Sequence, residues 1–406
     1  MKRFSYTLRY AWCVIFMLLT TPHANAQTDS ILLQSMDSVE IGLLTCGAGD
    51  EVYSLYGHTA IRYHDKGREQ DLAINYGMFS FKQKFFVPRF VFGLTNYEMG
   101  IIPFQTFVDE YHTARRWIIE QLLNLTREEK WAITQAIDEN YRPENRVYRY
   151  NYFYDNCTTR ARDMITDHIQ GNVVYPINTH ILASYRSMIH ECTASYPWAS
   201  FGNDLLLGVK ADAKTNYNAR QFLPDSLMQD FAHAIIIDTH GHRRALVDST
   251  FHILYEPNLH GVAHSSLLKP ITCALIFLLI VLTVCAIEWS TKRVWWGFDA
   301  LIMILNGLAG FILFLMIFSK HPTVSLNFQI LAICPLSLFF AYSAIKKLRQ
   351  HQFPSYFKFW SALLLLFFAL GYWQNYAEGM FIMALSLLIR MAWLYHSCKK
   401  LNKSTK

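Results

Sequence analysis

After His264 the chain carries five apolar stretches, at about 267–288, 298–318, 328–345, 359–373 and 379–396. An α-helix needs roughly 20 apolar residues to cross about 30 Å of hydrocarbon. No water in that layer satisfies peptide groups, so such segments have to close their own hydrogen bonds as helices. The last two stretches are short and cross with interfacial help. Residues 267–406 therefore read as an all-α transmembrane bundle of about five helices with a cytoplasmic C-terminal tail. Charge agrees with this. Segments 289–297, 346–358 and 397–406 carry Lys292, Arg293, Lys346, Lys347, Arg349, Lys358, Lys399, Lys400, Lys403 and Lys406, whereas 319–327 and 374–378 carry only Lys320. Cationic loops stay inside. These cations alone exceed the net charge of +6, so the balance reports topology and no nucleic-acid partner is implied.

Residues 1–26 read as a signal peptide. Lys2, Arg3 and Arg9 form the basic region, 11–20 the apolar core, and Ala24-Asn25-Ala26 the cleavage site. Residues 27–266 are then a periplasmic domain, and the protein belongs in the inner (cytoplasmic) membrane as a multi-pass protein. Three cysteines fall in the exported part: Cys46, Cys157 and Cys192. An odd number leaves at least one thiol unpaired in an oxidising compartment. This leaves open a Cys46–Cys192 disulfide with Cys157 free. No CxxC or His/Cys cluster suggests a metal, and no cofactor is implied.

The exported part reads as α+β. Ile41 to Thr45 and Leu55 to Tyr63 are expected strands, and Asp71 to Gly77 returns as the second arm of a hairpin. The run from Phe79 to Gly93 interleaves phenylalanines with Lys82, Lys84 and Arg89, which suits the lipid headgroup layer or an amphipathic cover on the domain's own core. Arg116 to Leu125 is an expected strand. Thr126-Arg127-Glu128-Glu129 is a capping box opening a helix to about Tyr141. Tyr148 to Tyr154 reads as a strand, Thr158 to Ile169 as a helix, and 205–212 as loop.

Cys157 follows Asp155-Asn156, residues that favour a helix N-cap. A thiol at the positive end of a helix is drawn toward the thiolate, and the first-turn amides there suit an oxyanion. Thiol acyl chemistry also needs a base and a group that orients it. His58, on a strand just after a glycine, is the best-placed base. Asn75, on the paired strand, is the expected orienting residue, with Asp71 as the other candidate.

The stretches Tyr56-Gly57-His58-Thr59-Ala60-Ile61-Arg62 and Tyr150-Asn151-Tyr152-Phe153-Tyr154-Asp155-Asn156-Cys157-Thr158-Thr159-Arg160 resemble the two signatures of the Lnb family of lipoprotein N-acyltransferases. The resemblance extends to Asn75-Tyr76-Gly77, Leu207-Gly208 with Asp212, Phe222-Leu223-Pro224 and His321-Pro322. It implies a circularly permuted papain-like/NlpC-type thiol-enzyme domain ahead of the bundle. It also implies transfer of an acyl chain, through a thioester on Cys157, from a phospholipid or diacylglyceryl donor to the N-terminal cysteine amine of a diacylated lipoprotein. On the same resemblance Tyr56, Asn156, Thr158 and Arg160 contact headgroups or support the dyad. The other readings are an exported NlpC-type cell-wall peptidase or amidase, and a non-enzymatic membrane scaffold. Few polar residues such as Asn306 fall within the spans. His321, Asn327 and Glu378, at the outer span ends, are candidates for a lipid entry or solvated loop residues.

Overall fold

The computed structural model describes residues 32–79, 84–175, 183–216, 218–255 and 268–404. The expected leader, residues 1–26, lies outside the described residues. The strands are β1 (Val39–Cys46), β2 (His58–Asp65), β3 (Gln70–Met78), β4 (Asn96–Pro103), β5 (Ile118–Leu123), β6 (Val147–Arg149), β7 (Asn172–Val174), β8 (Ile235–Ile237), β9 (Arg243–Ala245) and β10 (Val247–Leu254). The helices of the N-terminal region are α1 (Phe86–Val91), α2 (Phe104–Thr113), α3 (Arg127–Tyr141), α4 (Cys157–Thr166), α5 (Tyr185–Thr193), α6 (Pro197–Leu206) and α7 (Pro224–His233). Then come α8 (Pro270–Thr291), α9 (Trp296–Met316), α10 (Leu336–Arg349), α11 (Ser355–Leu370) and α12 (Met380–Ser404).

Seven strands form one sheet in the order β10-β5-β1-β2-β3-β4-β6, every neighbouring pair antiparallel. Alternation of side chains gives the sheet two apolar faces. Ile41, Leu43, Ile61, Ile74 and Tyr76 join a core with Ile133 of α3, Ile165 of α4 and Phe231 of α7. Leu44, Ala60 and Ala73 pack on Phe104, Phe107 and Tyr111 of α2. The expected capping box at Thr126 is present, with Glu129 N 3.3 Å from Thr126 Oγ1 and Thr126 N 2.8 Å from Glu129 Oε2. The expected strand over Tyr148 to Tyr154 stops at Arg149. Asn151 to Asp155 instead closes into a turn, with Asn151 N 3.0 Å from Asp155 O and Asp155 N 2.9 Å from Asn151 O. The stretch expected as loop at 205–212 starts inside α6 and continues as a short 3-10 turn, Val209–Asp212.

Among the described residues, α8, α9, α12 and the segment Phe328–Arg349 are long and apolar enough to cross a membrane, and α11 is a shorter apolar helix of 16 residues. The third span is not one helix. A 3-10 turn at Phe328–Leu331 precedes Pro335, and α10 begins after it. A proline offers no amide and breaks the ladder. Asn306 of α9 repairs the break: its Nδ2 donates to Ala332 O at 3.0 Å and its Oδ1 accepts from Cys334 N at 2.9 Å. Exposed backbone is tolerated at such depth only when protein satisfies it. The spans also hold more charge than a residue-by-residue reading suggests. Arg390 of α12, Glu288 of α8 and Asp299 of α9 are each at most 3% exposed and joined by bonds of 2.7–2.8 Å.

One end of the bundle is fastened to the sheet domain through 204–212. Gly208 N donates to Thr323 O at 2.8 Å and Val209 N to Leu326 O at 2.9 Å. Gln329 Nε2 donates to Asp204 O at 2.7 Å, and Gln374 Nε2 to Leu207 O at 3.1 Å. A side chain at Gly208 would collide with Leu326 O. Buried Arg186 of α5 locks the same segment from behind, with Nη1 on Asp204 at 2.8 Å and Nε on Asp212 at 2.9 Å. Asn327, expected at a lipid entry or in solvent, is buried with its Nδ2 on Leu205 O at 2.8 Å. His321 packs against Gly93 and the ring of Phe90, whereas Glu378 is exposed.

Candidate active site

β1 and β2 meet with Cys46 opposite His58. The chain enters β2 through Gly57, whose φ is +77° and whose added Cβ would lie 2.8 Å from Cys46 O. A side chain there would be strained twice over, so glycine sets the start of the strand and with it the place of His58. β3 lies on the other side of β2, with Asn75 opposite Ala60. His58 Nε2 is 3.1 Å from Asn75 Oδ1. An Nε2–H donating there leaves the Nδ1 lone pair to accept a proton. Asp71 stands two same-face pairs farther along, opposite His64, where it accepts from Arg62 Nε at 2.8 Å and Nη2 at 2.7 Å. Asn75, not Asp71, is therefore the residue on the imidazole.

Cys157 is the first residue of α4. Asn156 caps the helix reciprocally: its Oδ1 accepts from Thr158 N and Thr159 N, both at 2.9 Å, and its own N donates to Thr159 Oγ1 at 2.9 Å. Its Nδ2 donates to Tyr152 O at 2.9 Å and Phe222 O at 2.8 Å. The whole amide of Asn156 is thus engaged inside the protein and fixes the turn that carries the sulfur. The amides of Thr158 and Thr159, expected to be open to an oxyanion, are occupied by this cap. The amide of Cys157 itself is what the first turn leaves near the sulfur. Past Asn75 the β3–β4 register shifts. Gly77 there, at φ +86°, brings bare backbone against Cys157.

Electrostatics single out this thiol. Burial alone would push Cys157 up. The charge and hydrogen bond of His58, the backbone amide of Thr59 and the hydroxyl of Thr158 outweigh burial and bring it down from 9.0 to about 7. Burial would likewise lower His58, but the Cys157 thiolate and Asn75 raise it above its ordinary value. The two shifts share one cause: a Cys157 thiolate and a protonated His58 attract each other, and each favours the charged form of the other. Cys46 and Cys192 are the contrast. Burial pushes both up to about 12. Cys46, Cys157 and Cys192 are all free thiols, so the Cys46–Cys192 disulfide that the sequence left open is not formed.

The remaining expected residues divide. Tyr56 OH accepts from Asn203 Nδ2 of α6 at 2.7 Å and meets the Tyr152 ring edge-on. Thr158 Oγ1 is 3.1 Å from Thr59 Oγ1 and 3.8 Å from the Cys157 sulfur, tying α4 to β2. Both residues line a cavity of about 320 Å³ shared with His58, Asn75 and Cys157. Its other walls are largely rings, among them Tyr53, Phe79, Tyr97, Tyr150 and Tyr152. Arg160 is not on that wall. Its Nε and Nη2 bind Asp155 at 2.6 and 2.9 Å, and its guanidinium lies 3.5 Å over the Tyr148 ring. Arg116, which no spacing in the sequence marks, does line the cavity. A larger cavity of about 580 Å³ lies at the far end of the bundle between Trp289, Lys292, Arg293, Trp393 and Lys400. Its lining includes Ser397 and His396, but no hydrogen bond joins the two, so size does not identify the site.

Two family models match the chain. One, described as the Lnb N-terminal periplasmic domain, covers residues 28–188, and the other, the Lnb transmembrane domain, covers residues 262–401. No curated protein and no solved structure gives a significant match.

Proposed function

Since the chain belongs to the Lnb family, with a periplasmic N-terminal domain and a C-terminal transmembrane domain, we propose that it is a lipoprotein N-acyltransferase of the inner membrane with Cys157 as nucleophile. The observation that carries this reading is the His58–Cys157 pair, backed by Asn75 at 3.1 Å, in a ring-walled cavity. The domain holding it is fastened to the periplasmic ends of the spans. The base strand precedes the nucleophile helix, which favours the circularly permuted papain-like/NlpC-type fold.

The Cys157 thiolate attacks an ester carbonyl of a phospholipid or diacylglyceryl donor and forms the carbon–sulfur bond. The amide of Cys157 donates to the oxyanion. As the carbon–oxygen bond breaks, His58 passes its proton to the departing alkoxide, leaving a thioester. The α-amine of a diacylated lipoprotein's N-terminal cysteine then attacks that thioester. His58 takes the proton from the amine, the carbon–sulfur bond breaks, and the thiolate returns with an N-acyl product. Asn75 holds the imidazole tautomer. Asn156 and Thr158 position Cys157, and Tyr56 shapes the wall. Rings around the sulfur keep water from the thioester and favour aminolysis over hydrolysis. Exposed Phe85 caps α1 and exposed Phe90 lies within it, beside the loop bearing His321, which supports the headgroup-layer reading of that segment.

The test is the lipid state of an outer-membrane lipoprotein in cells whose only copy carries Cys157→Ser. Loss of N-acylation is expected. Full N-acylation in those cells overturns the proposal. Intact mass of the wild-type protein incubated with phospholipid should show a hydroxylamine-labile acyl adduct on Cys157.

A further inference from the structure

The wall of the His58–Cys157 cavity holds a cation with an unused donor. Arg116 sits between α2 and β5. Its Nε donates to Gly47 O at 2.7 Å and its guanidinium lies 4.6 Å from the centre of the Tyr111 ring. Its Nη2 is buried and has no hydrogen-bond partner. A buried donor on a charged group is costly to leave unmade. Arg116 as a whole is half-buried; the fully buried Arg186 and Arg390 have their forks filled by carboxylates and carbonyls. The charge of Arg116 is felt at the dyad, where it opposes protonation of His58.

We infer that Arg116 binds the phosphodiester of a glycerophospholipid and so makes phospholipid, not a neutral diacylglyceryl group, the acyl donor. This rests on the acyl-transfer reading above and narrows it. A guanidinium nitrogen held in place by its own Nε bond and ring contact suits a phosphate oxygen. The rest of the cavity is aromatic and suits acyl chains and glycerol. The diacylglyceryl group of a lipoprotein offers no anion to Nη2. The wall's carboxylate, Glu110, is exposed to solvent, so its repulsion of a phosphate is screened. With the phosphate anchored, thiolate attack on the neighbouring acyl ester releases a lysophospholipid and leaves the thioester.

The test uses the full chain in neutral detergent and reads a ratio within each protein, so a general loss of stability cancels. Thioester formation on Cys157 is timed with phosphatidylglycerol and with diacylglycerol of the same chains. Wild type should favour the phospholipid by about 10- to 100-fold, the range of a charge-assisted hydrogen bond. Arg116→Leu should abolish that preference, and Arg116→Lys should keep part of it. An unchanged preference in Arg116→Leu, or none in wild type, overturns the inference. Retention of a dialkyl-ether phosphatidylglycerol, which cannot acylate the thiol, separates the two ideas by native mass spectrometry. Retention that depends on Arg116 while no thioester forms would keep the phosphate site and sink the transferase. Equal thioester formation in wild type and Arg116→Leu would do the reverse. Complete displacement of the ether lipid by inorganic phosphate at equal concentration would identify a free-anion site and overturn the lipid assignment.

Discussion

Two groups of ionisable side chains have been withdrawn from water in this protein, and they are finished differently. In the spans, Arg390 gives two bonds to Asp299 and two to Glu288, and Glu288 is completed by Trp393 Nε1 and Trp295 N, both at 2.6 Å. Nothing is left over, and the group ties α8, α9 and α12 together. At the other site, His58, Cys157 and Arg116 line one cavity, and Arg116 Nη2 has no hydrogen-bond partner. Burial of charge is common to both, so burial does not mark chemistry. Incomplete satisfaction beside empty volume does.

That contrast can be broken by substitution. Cys157→Ser should lower acyl transfer by about 10⁴-fold or more with no change in thermal unfolding, checked by lipoprotein mass and by scanning calorimetry in detergent. Arg390→Met should behave in the opposite sense. Two buried carboxylates lose their partner at a cost of about 3–5 kcal/mol, read as lost yield and a lower unfolding midpoint. Adding Glu288→Gln and Asp299→Asn to that variant should recover most of the loss. Asn75→Ala should slow transfer about 10²-fold while the protein stays folded.

His58→Ala tests the thiol directly. In the wild type the thiolate population, and with it the alkylation rate, should rise through about pH 7. Without the imidazolium, burial is opposed only by the Thr59 amide and the Thr158 hydroxyl, and the midpoint moves alkaline. A shift of two units removes about 98% of the thiolate at pH 7, partly offset by a more nucleophilic sulfur, for a net drop of about 5- to 8-fold. A profile that stays near pH 7 would show that His58 is not what lowers the thiol. Asp71→Asn should be the mildest change, within about 1 kcal/mol and with transfer unaffected, because Asp71 serves Arg62.

Local chemistry is legible in the sequence. Gly57 before His58, Asn156 before Cys157, the box at Thr126 and the length of the apolar stretches each name their structure within a few residues. Asn75 against Asp71 was not decidable in this way, since both lie on one face of β3. The β2–β3 register decides it. The turn at 151–155 was hidden by strand-like aromatics, whose rings pack on Tyr56, Tyr185 and Phe222 rather than along a ladder. Arg116 and the Arg390 group carry no sequence signal because their hydrogen-bond partners lie dozens of positions away or more. Glu288, Asp299 and Arg390 each look like an ordinary charge in or beside an apolar run until the helices are assembled.

The seam at Gly208 turns the two halves of the chain into a gauge. With Val209, Gln329 and Gln374 pinning the sheet domain to the bundle, the sulfur stands at a set height over the lipid plane. On the acyl-transfer proposal, a thicker or thinner host bilayer then moves the thiol relative to the ester bonds it would attack. Turnover should depend on the chain length of the surrounding lipid, a dependence that an enzyme hung on a slack tether would not show.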